Sequence, residues 1–206
     1  MKKHFPKILS LVLALSMMFC MAVGANAAEI DTSGGSGSTP VNLSSTDDGS
    51  ETGNPAATAM RVTVPTALPM AMSQDGVVTT ADDCWIVNNS YGAVRVANVT
   101  ITAADGWSLT AFGDKSSLAG EKVDSNKLGF ALTIGEGAQV ATDADNTSNQ
   151  TLITAPVAGC YMTGAGDPTG NSIAVDYSAI VTPLSSAVTS TTVASVVFVI
   201  EWDTAA

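Results

Sequence analysis

Few residues of this sequence could perform acid–base or nucleophilic chemistry. The only histidine is His4, and it lies in an N-terminal segment that we predict to be cleaved off. Without histidine, the remaining chain lacks the base of a Ser-His-Asp or Cys-His arrangement and the commonest nitrogen ligand for zinc. Carboxylates are the side chains left for catalysis. The composition therefore favours a protein that is not an enzyme and that uses no cofactor.

Two carboxylates are adjacent at Asp82 and Asp83. Glycoside hydrolysis needs two carboxyl groups that face each other across a cleft, whereas neighbours in an extended strand point to opposite sides. A carboxylate hydrolase is therefore the least favoured alternative.

Four aromatic residues could instead form a platform that stacks against sugar rings: Trp85, Tyr91, Trp107 and Tyr161. Packing in a core is the other use of such rings. Because only 5% of the residues are aromatic, core packing is the favoured interpretation.

An acidic stretch around residue 145 spaces its oxygen atoms as calcium-binding loops do. Its candidate ligands are Asp143, Asp145 and Asn149. The bidentate glutamate that such a loop carries at its twelfth position is missing, since Thr154 stands there. A solvated acidic loop without metal is the favoured interpretation.

Cys84 and Cys160 remain after the predicted cleavage. Outside the cytoplasm such a pair suggests a disulfide, which would stabilise the fold by roughly 4 kcal/mol in the chain-entropy treatment. Two buried free thiols are an equally favoured alternative.

Residues 1–27 have the features of a secretory signal peptide. Lys2, Lys3 and Lys7 precede an apolar run, and Ala25-Asn26-Ala27 forms a cleavage site. The apolar run is shorter than the ~20 residues that cross a bilayer. We therefore predict a secreted protein, extracellular or associated with the cell wall, with no membrane insertion after cleavage.

The predicted mature chain is strongly acidic. Three of the 8 basic residues leave with the signal peptide, so 5 face all 19 acidic residues, a net charge of −14. Such a surface repels phosphate backbones and anionic lipid head groups. Nucleic acid is therefore excluded as a partner.

Residues 28–59 are mainly Gly, Ser, Thr, Asp, Asn and Pro, a composition that favours a flexible, disordered spacer. Short alternating segments separated by turn residues follow from residue 60. They predict that residues 60–206 form an all-β domain, a single antiparallel β-sandwich of immunoglobulin-like type with about 8–10 strands.

Four details of the predicted strands can be compared with a structure. Gln74-Asp75-Gly76 predicts a hairpin turn, and a change of parity between Ala97 and Asn98 predicts a β-bulge. The alternation from Leu128 to Ile134 predicts a half-buried strand. The almost wholly apolar segment 192–202 predicts a central strand that is covered on both faces.

Trp107 and Leu109 form a Trp-x-Leu triplet after a long alternating strand, and a last apolar strand ends at Trp202. This order resembles that of the WxL-domain proteins of Gram-positive cell surfaces. The resemblance implies an exported β-rich domain held non-covalently on peptidoglycan, with Trp107, Leu109 and Trp202 as the binding residues. The second triplet departs from the pattern, because Asp203 and Thr204 follow Trp202.

We therefore expect a non-enzymatic surface protein that binds cell-wall glycan or other surface proteins as an adhesion module. The alternative is a self-assembling extracellular fibre or matrix subunit, similar to the camelysin and TasA type. In that alternative the N-terminal segment would add a strand to the sheet edge of a neighbouring copy.

Overall fold

A computed structural model describes residues 59–204. The predicted signal peptide and the predicted spacer, apart from residue 59, lie outside this range. Within it, the only helical element is a single 3₁₀ turn at Lys115–Leu118. No helix of the described residues is long and apolar enough to cross a membrane.

The described chain is all-β, as predicted. It has twelve strands rather than eight to ten, because three of them are only two residues long and carry too little pattern to be recognised. In chain order the strands are β1 (Val62–Thr63), β2 (Met70–Met72), β3 (Val78–Thr80), β4 (Trp85–Asn88), β5 (Val94–Ala103), β6 (Ser108–Thr110), β7 (Lys127–Ile134), β8 (Val140–Ala141), β9 (Asn149–Ile153), β10 (Tyr161–Met162), β11 (Ser172–Val181) and β12 (Ala194–Trp202).

Two main sheets contain ten of these strands. The first has the order β1-β4-β11-β7-β6, and β8 also pairs with β7. The second has β5 at its centre, with β12 on one edge and with β9 and β10 sharing the other. All pairs are antiparallel except β6 with β7, which run parallel. The remaining strands, β2 and β3, form the predicted hairpin, with Gly76 at a φ of 71° in its turn.

The inward side chains of both main sheets meet in one hydrophobic cluster. Ile86, Leu132 and Tyr177 enter it from the first sheet, and Val99 and Ile101 enter it from the second. Two sheets that bury their inner faces against each other form one core. This arrangement is compatible with the predicted β-sandwich.

The predicted β-bulge is confirmed in β5. Val199 of β12 pairs with Asn98, and the next residue, Ile200, pairs with Val96, so Ala97 is the extra residue. The residues of β5 that face the core are therefore even-numbered before the bulge and odd-numbered after it. Val94 and Val96 before the bulge are as completely buried as the residues after it.

The predicted burial of two strands is wrong. β7 is not half-buried, because its small residues Gly129 and Ala131 are covered as well as its large ones. A Cβ atom at Gly129 would lie 2.7 Å from the Ile180 side chain, so this side chain of the neighbouring strand packs directly on the Gly129 backbone. β12 is not a central strand but an edge strand. Its apolar residues alternate between the core and solvent, and Val197 and Val199 are 53% and 42% exposed.

Asn88, at the end of β4, is a fully buried amide whose hydrogen bonds hold two loops. Its Nδ2 donates to the carbonyl oxygens of Gly92 at 2.9 Å and Thr163 at 2.8 Å. Its Oδ1 accepts a bond from the N–H of Ser90 at 2.9 Å. When a buried polar side chain has all its hydrogen-bond partners, its removal leaves those partners buried and unpaired. The cost of these unpaired groups is the main reason why such a side chain is needed for stability.

We expect Asn88→Ala to lower the free energy of unfolding by about 2–3 kcal/mol, because it leaves several buried backbone groups without partners. The matched control is Asn89→Ala. Asn89 is exposed and bonds only to the Thr63 hydroxyl through its side chain, so its loss should cost under about 0.5 kcal/mol. Urea unfolding of both variants measures the difference, and equal effects would contradict this role of Asn88.

Candidate functional site

The Trp-x-Leu triplet lies largely in the core. Leu109 in β6 has no exposed surface, and Trp107 is partly buried against the hydrophobic cluster. The N–H of Leu109 donates to the carbonyl of Thr147 at 2.7 Å. A side chain without exposed surface cannot contact a polymer, so Leu109 can act on binding only through the stability of the fold.

Trp202, the third predicted binding residue, lies far from the first two. It is partly buried, and a Cβ atom at Gly92 would lie 3.1 Å from its ring. Trp202 pairs with Val94, the first residue of β5, whereas Trp107 follows the other end of the same strand. Ten residues of strand separate the two ends by roughly 30 Å. The fold therefore does not bring these two tryptophans into one site.

Leu109→Ala tests whether this triplet is structural. Loss of a buried leucine leaves a cavity and should lower the free energy of unfolding by about 2–5 kcal/mol. We expect the folded fraction of this variant to bind a wall preparation as the unmodified protein does. Chemical unfolding measures the first effect and co-sedimentation measures the second. A large loss of binding in a protein shown to be folded would restore the triplet as a binding site.

Two other aromatic residues line a single shallow depression of about 570 Å³. Trp85 is 49% exposed and Tyr161 is 45% exposed. The depression also contains the exposed carboxylate of Glu136 and the hydroxyl of Ser172. We call these four side chains the Trp85–Tyr161 site.

The two sheets contribute to this site together. Trp85 begins β4 and pairs with Ala174 in the first sheet, while Tyr161 begins β10 and pairs with Arg95 in the second. In β4, Trp85 points outward because the next residue, Ile86, points into the core. The period of two in the strand thus requires a large ring on the surface.

A glycine contact closes one side of the depression. Gly159 has a φ of 88°, which a residue with a side chain rarely adopts. A Cβ atom on it would lie 2.5 Å from the backbone nitrogen of Gly137. The turn after β7 and the loop before β10 therefore touch backbone to backbone, and Glu136 from the first and Tyr161 after the second line the same depression.

The chemistry of this site suits an uncharged ring with hydroxyl groups. Aromatic faces offer apolar contact, and tyrosine and tryptophan also have a polar group at the edge of the ring. Among residues 59–204, no lysine or arginine lines the depression. Core packing was the favoured interpretation for the four aromatic residues, but Trp85 and Tyr161 are half-exposed and line the same depression. Trp107 packs on the core, and Tyr91, which is 90% exposed, is not part of the lining.

The two cysteines are free thiols in the structure, and both are buried. Burial raises the pKa of the Cys84 thiol, and the charge of Asp83 adds to this effect. Burial also raises the pKa of the Cys160 thiol. Neither thiol has the environment of a nucleophile. Whether the two cysteines are bridged in the secreted protein stays a prediction, with both alternatives open.

We expect both thiols to react slowly with iodoacetamide in the folded protein, because only the exposed thiolate is reactive. After unfolding in urea, both should be alkylated rapidly without a reducing agent. Mass spectrometry of intact protein counts the labels. If labelling of the unfolded chain required prior reduction, the two cysteines would be bridged.

Two of the three calcium candidates, Asp145 and Asn149, make hydrogen bonds within the protein through their side chains. The carboxylate of Asp145 accepts hydrogen bonds from the Thr110 hydroxyl and from the N–H of Ala111, and these bonds lower the pKa of Asp145. The side-chain amide of Asn149 donates to the Thr102 hydroxyl at 2.8 Å, and Asp143 donates its backbone N–H to Gln150 at 2.9 Å. Among residues 59–204, no group of three or more His, Cys, Asp or Glu is placed to hold a metal ion.

The adjacent carboxylates of Asp82 and Asp83 are both exposed and neither lines the depression. The arrangement that a carboxylate hydrolase needs is therefore not formed by this pair.

Comparison with known proteins adds no family. No protein-family model, curated protein or solved structure matches this chain. The resemblance to WxL-domain proteins therefore stays a prediction from the sequence.

Proposed function

We propose that this is a non-enzymatic, exported cell-surface protein that binds the glycan strands of peptidoglycan through the Trp85–Tyr161 site. The observation that carries the proposal is the pair of half-exposed aromatic rings in one depression, with a carboxylate and a hydroxyl beside them. Trp85 and Tyr161 thus replace the Trp-x-Leu triplet as the residues that contact the polymer.

The aromatic rings would supply most of the binding free energy. Large rings that are desolvated in a complex commonly dominate binding, while the polar groups around them fix orientation. The apolar C–H face of a pyranose would stack on an indole or phenol ring. Glu136 and Ser172 would then bond to the hydroxyl and amide groups at the edge of the sugar.

The negative charge of the chain disfavours anionic ligands and leaves uncharged sugars as the favoured class. Without the predicted signal peptide the chain has 19 acidic residues against 5 basic ones, so it repels phosphate-rich wall polymers at long range. An uncharged sugar ring is not repelled. Binding should therefore persist at high ionic strength, because salt screens charge interactions and not ring stacking.

Co-sedimentation of the purified mature protein with peptidoglycan sacculi tests this proposal. We expect Trp85→Ala and Tyr161→Ala each to reduce the affinity about tenfold, equivalent to ~1.4 kcal/mol. Tyr91→Ala is the matched control, since it removes a more exposed ring outside the depression. It should leave binding unchanged.

Two results would reject the proposal. One is recovery of all the unmodified protein in the supernatant. The other is an equal loss of binding in all three variants, which would indicate non-specific adhesion of exposed rings. Circular dichroism of each variant establishes that it is folded.

A fibre or matrix subunit is the second candidate function. The observation that favours it is the edge of β12 that no strand of residues 59–204 covers, since a free edge can accept a strand from another chain. Electron microscopy of the concentrated protein, with and without residues 28–59, distinguishes fibres from single molecules.

A further inference from the structure

The free edge of β12 is the longest uncovered strand edge among the described residues. β12 has nine residues and pairs only with β5. The other long strands are paired at least in part on both sides. β9 and β10 cover the second edge of β5, and β6 and β8 cover the second edge of β7. β11 pairs with β7 along one side and with β4 over its first three residues on the other. Edge strands expose backbone groups that can pair with another chain.

The hydrogen bonds at the two ends of β12 show which groups face outward. Val193 accepts a bond from Ala104, and Asp203 donates one to Ala93. In an antiparallel pair, residues that bond to the partner strand alternate with residues that do not. Val196, Phe198 and Ile200 therefore direct their N–H and C=O groups to the open edge.

The edge has none of the features that normally prevent pairing. Proteins protect free edges with proline, with lysine, with bulges or with very short strands. β12 is long and has no proline or lysine. The extra residue of the β-bulge, Ala97, lies in β5, so β12 itself is not interrupted.

The distribution of charge allows a second copy of this chain to pair at β12 and at few other places. Without the predicted signal peptide each molecule has 19 acidic and 5 basic residues, so two molecules repel one another over most of their surface. From Ala194 to Ile200, however, β12 has no charged residue. Its one carboxylate, on Glu201, is in an ion pair with Arg95 at 3.3 Å.

The sequence of β12 is also nearly self-complementary about Phe198. In an antiparallel pair centred there, Val197 lies opposite Val199 of the partner subunit, and Ser195 lies opposite Glu201 of the partner subunit. The two Glu201 carboxylates are therefore kept apart. Phe198 lies opposite Phe198 of the partner subunit, and each offers the other an N–H and a C=O.

We propose that two copies of the protein pair through their β12 edges in this register, so that their second sheets become one continuous sheet. Because both copies use the same surface, the contact closes on itself and forms a dimer rather than a fibre. The partly exposed side chains of Val196, Phe198 and Ile200 would be covered by this contact.

Sedimentation of the mature full-length chain over a range of concentrations tests the dimer. Val197→Lys with Val199→Lys should weaken it at least about 100-fold, because four ammonium groups would meet across the contact. Both positions are exposed, so the fold should not change. Thr102→Lys with Thr151→Lys adds the same charge to exposed positions of the same sheet, away from the edge, and should dimerise like the unmodified protein.

Amide hydrogen exchange identifies the contact itself. In the dimer we expect slow exchange at Val196, Phe198 and Ile200, and fast exchange at these residues in the double-lysine variant. The amides of Val197 and Val199 face β5 and should exchange slowly in both.

Three results would overturn the dimer. The protein could remain monomeric at all concentrations, or it could dimerise with fast exchange at Phe198. The third is loss of the slow exchange in the variant with Val41→Asp and Leu43→Asp. These two residues alternate with polar ones, as in a strand, and lie outside the described range. That result would assign the edge to the N-terminal segment. Sacculus binding by the monomeric lysine variant separates this inference from the proposed function.

Discussion

The burial of one face of β5 against the first sheet is the interaction on which the rest of the structure depends. β5 pairs with β12, β9 and β10, so its position sets that of the whole second sheet. The extra residue at Ala97 allows the apolar residues on both sides of the bulge to face the core. Without that shift of parity, either Val96 or Val99 would point to solvent, and half of the contact between the sheets would be lost.

The position of the Trp85–Tyr161 site follows from this packing. Each ring is on the outer side of a strand whose next residue, Ile86 or Met162, is buried. Burial of those neighbours forces the rings outward. The close contact of Gly137 with Gly159 then joins the ends of the two sheets, so that residues distant in the sequence line one depression.

A second consequence concerns the sheet edges. β9 and β10 are short, yet together they cover one side of β5, whereas nothing among residues 59–204 covers the outer side of β12. The Trp85–Tyr161 site and the β12 edge involve different strands. The proposed binding of glycan and the proposed pairing between copies are therefore compatible, and such a dimer would present two copies of the site to one polymer, which would raise its effective affinity.

The sequence by itself determined the all-β class, the β2–β3 hairpin and the bulge in β5, because each depends on local alternation and turn residues. It also identified Trp85 and Tyr161 as two of four aromatic candidates. Only the tertiary structure decided which rings share a surface, since that depends on contacts between β4 and β10 from different sheets. The burial of β7 and β12 was predicted the wrong way round. Gly129 in β7 is buried because the Ile180 side chain of the neighbouring strand packs on it. β12 is apolar but lies at an edge, because among residues 59–204 no strand pairs with its outer side. The sequence pattern gives the residue types along a strand, whereas the burial of that strand depends on which other elements pack against it.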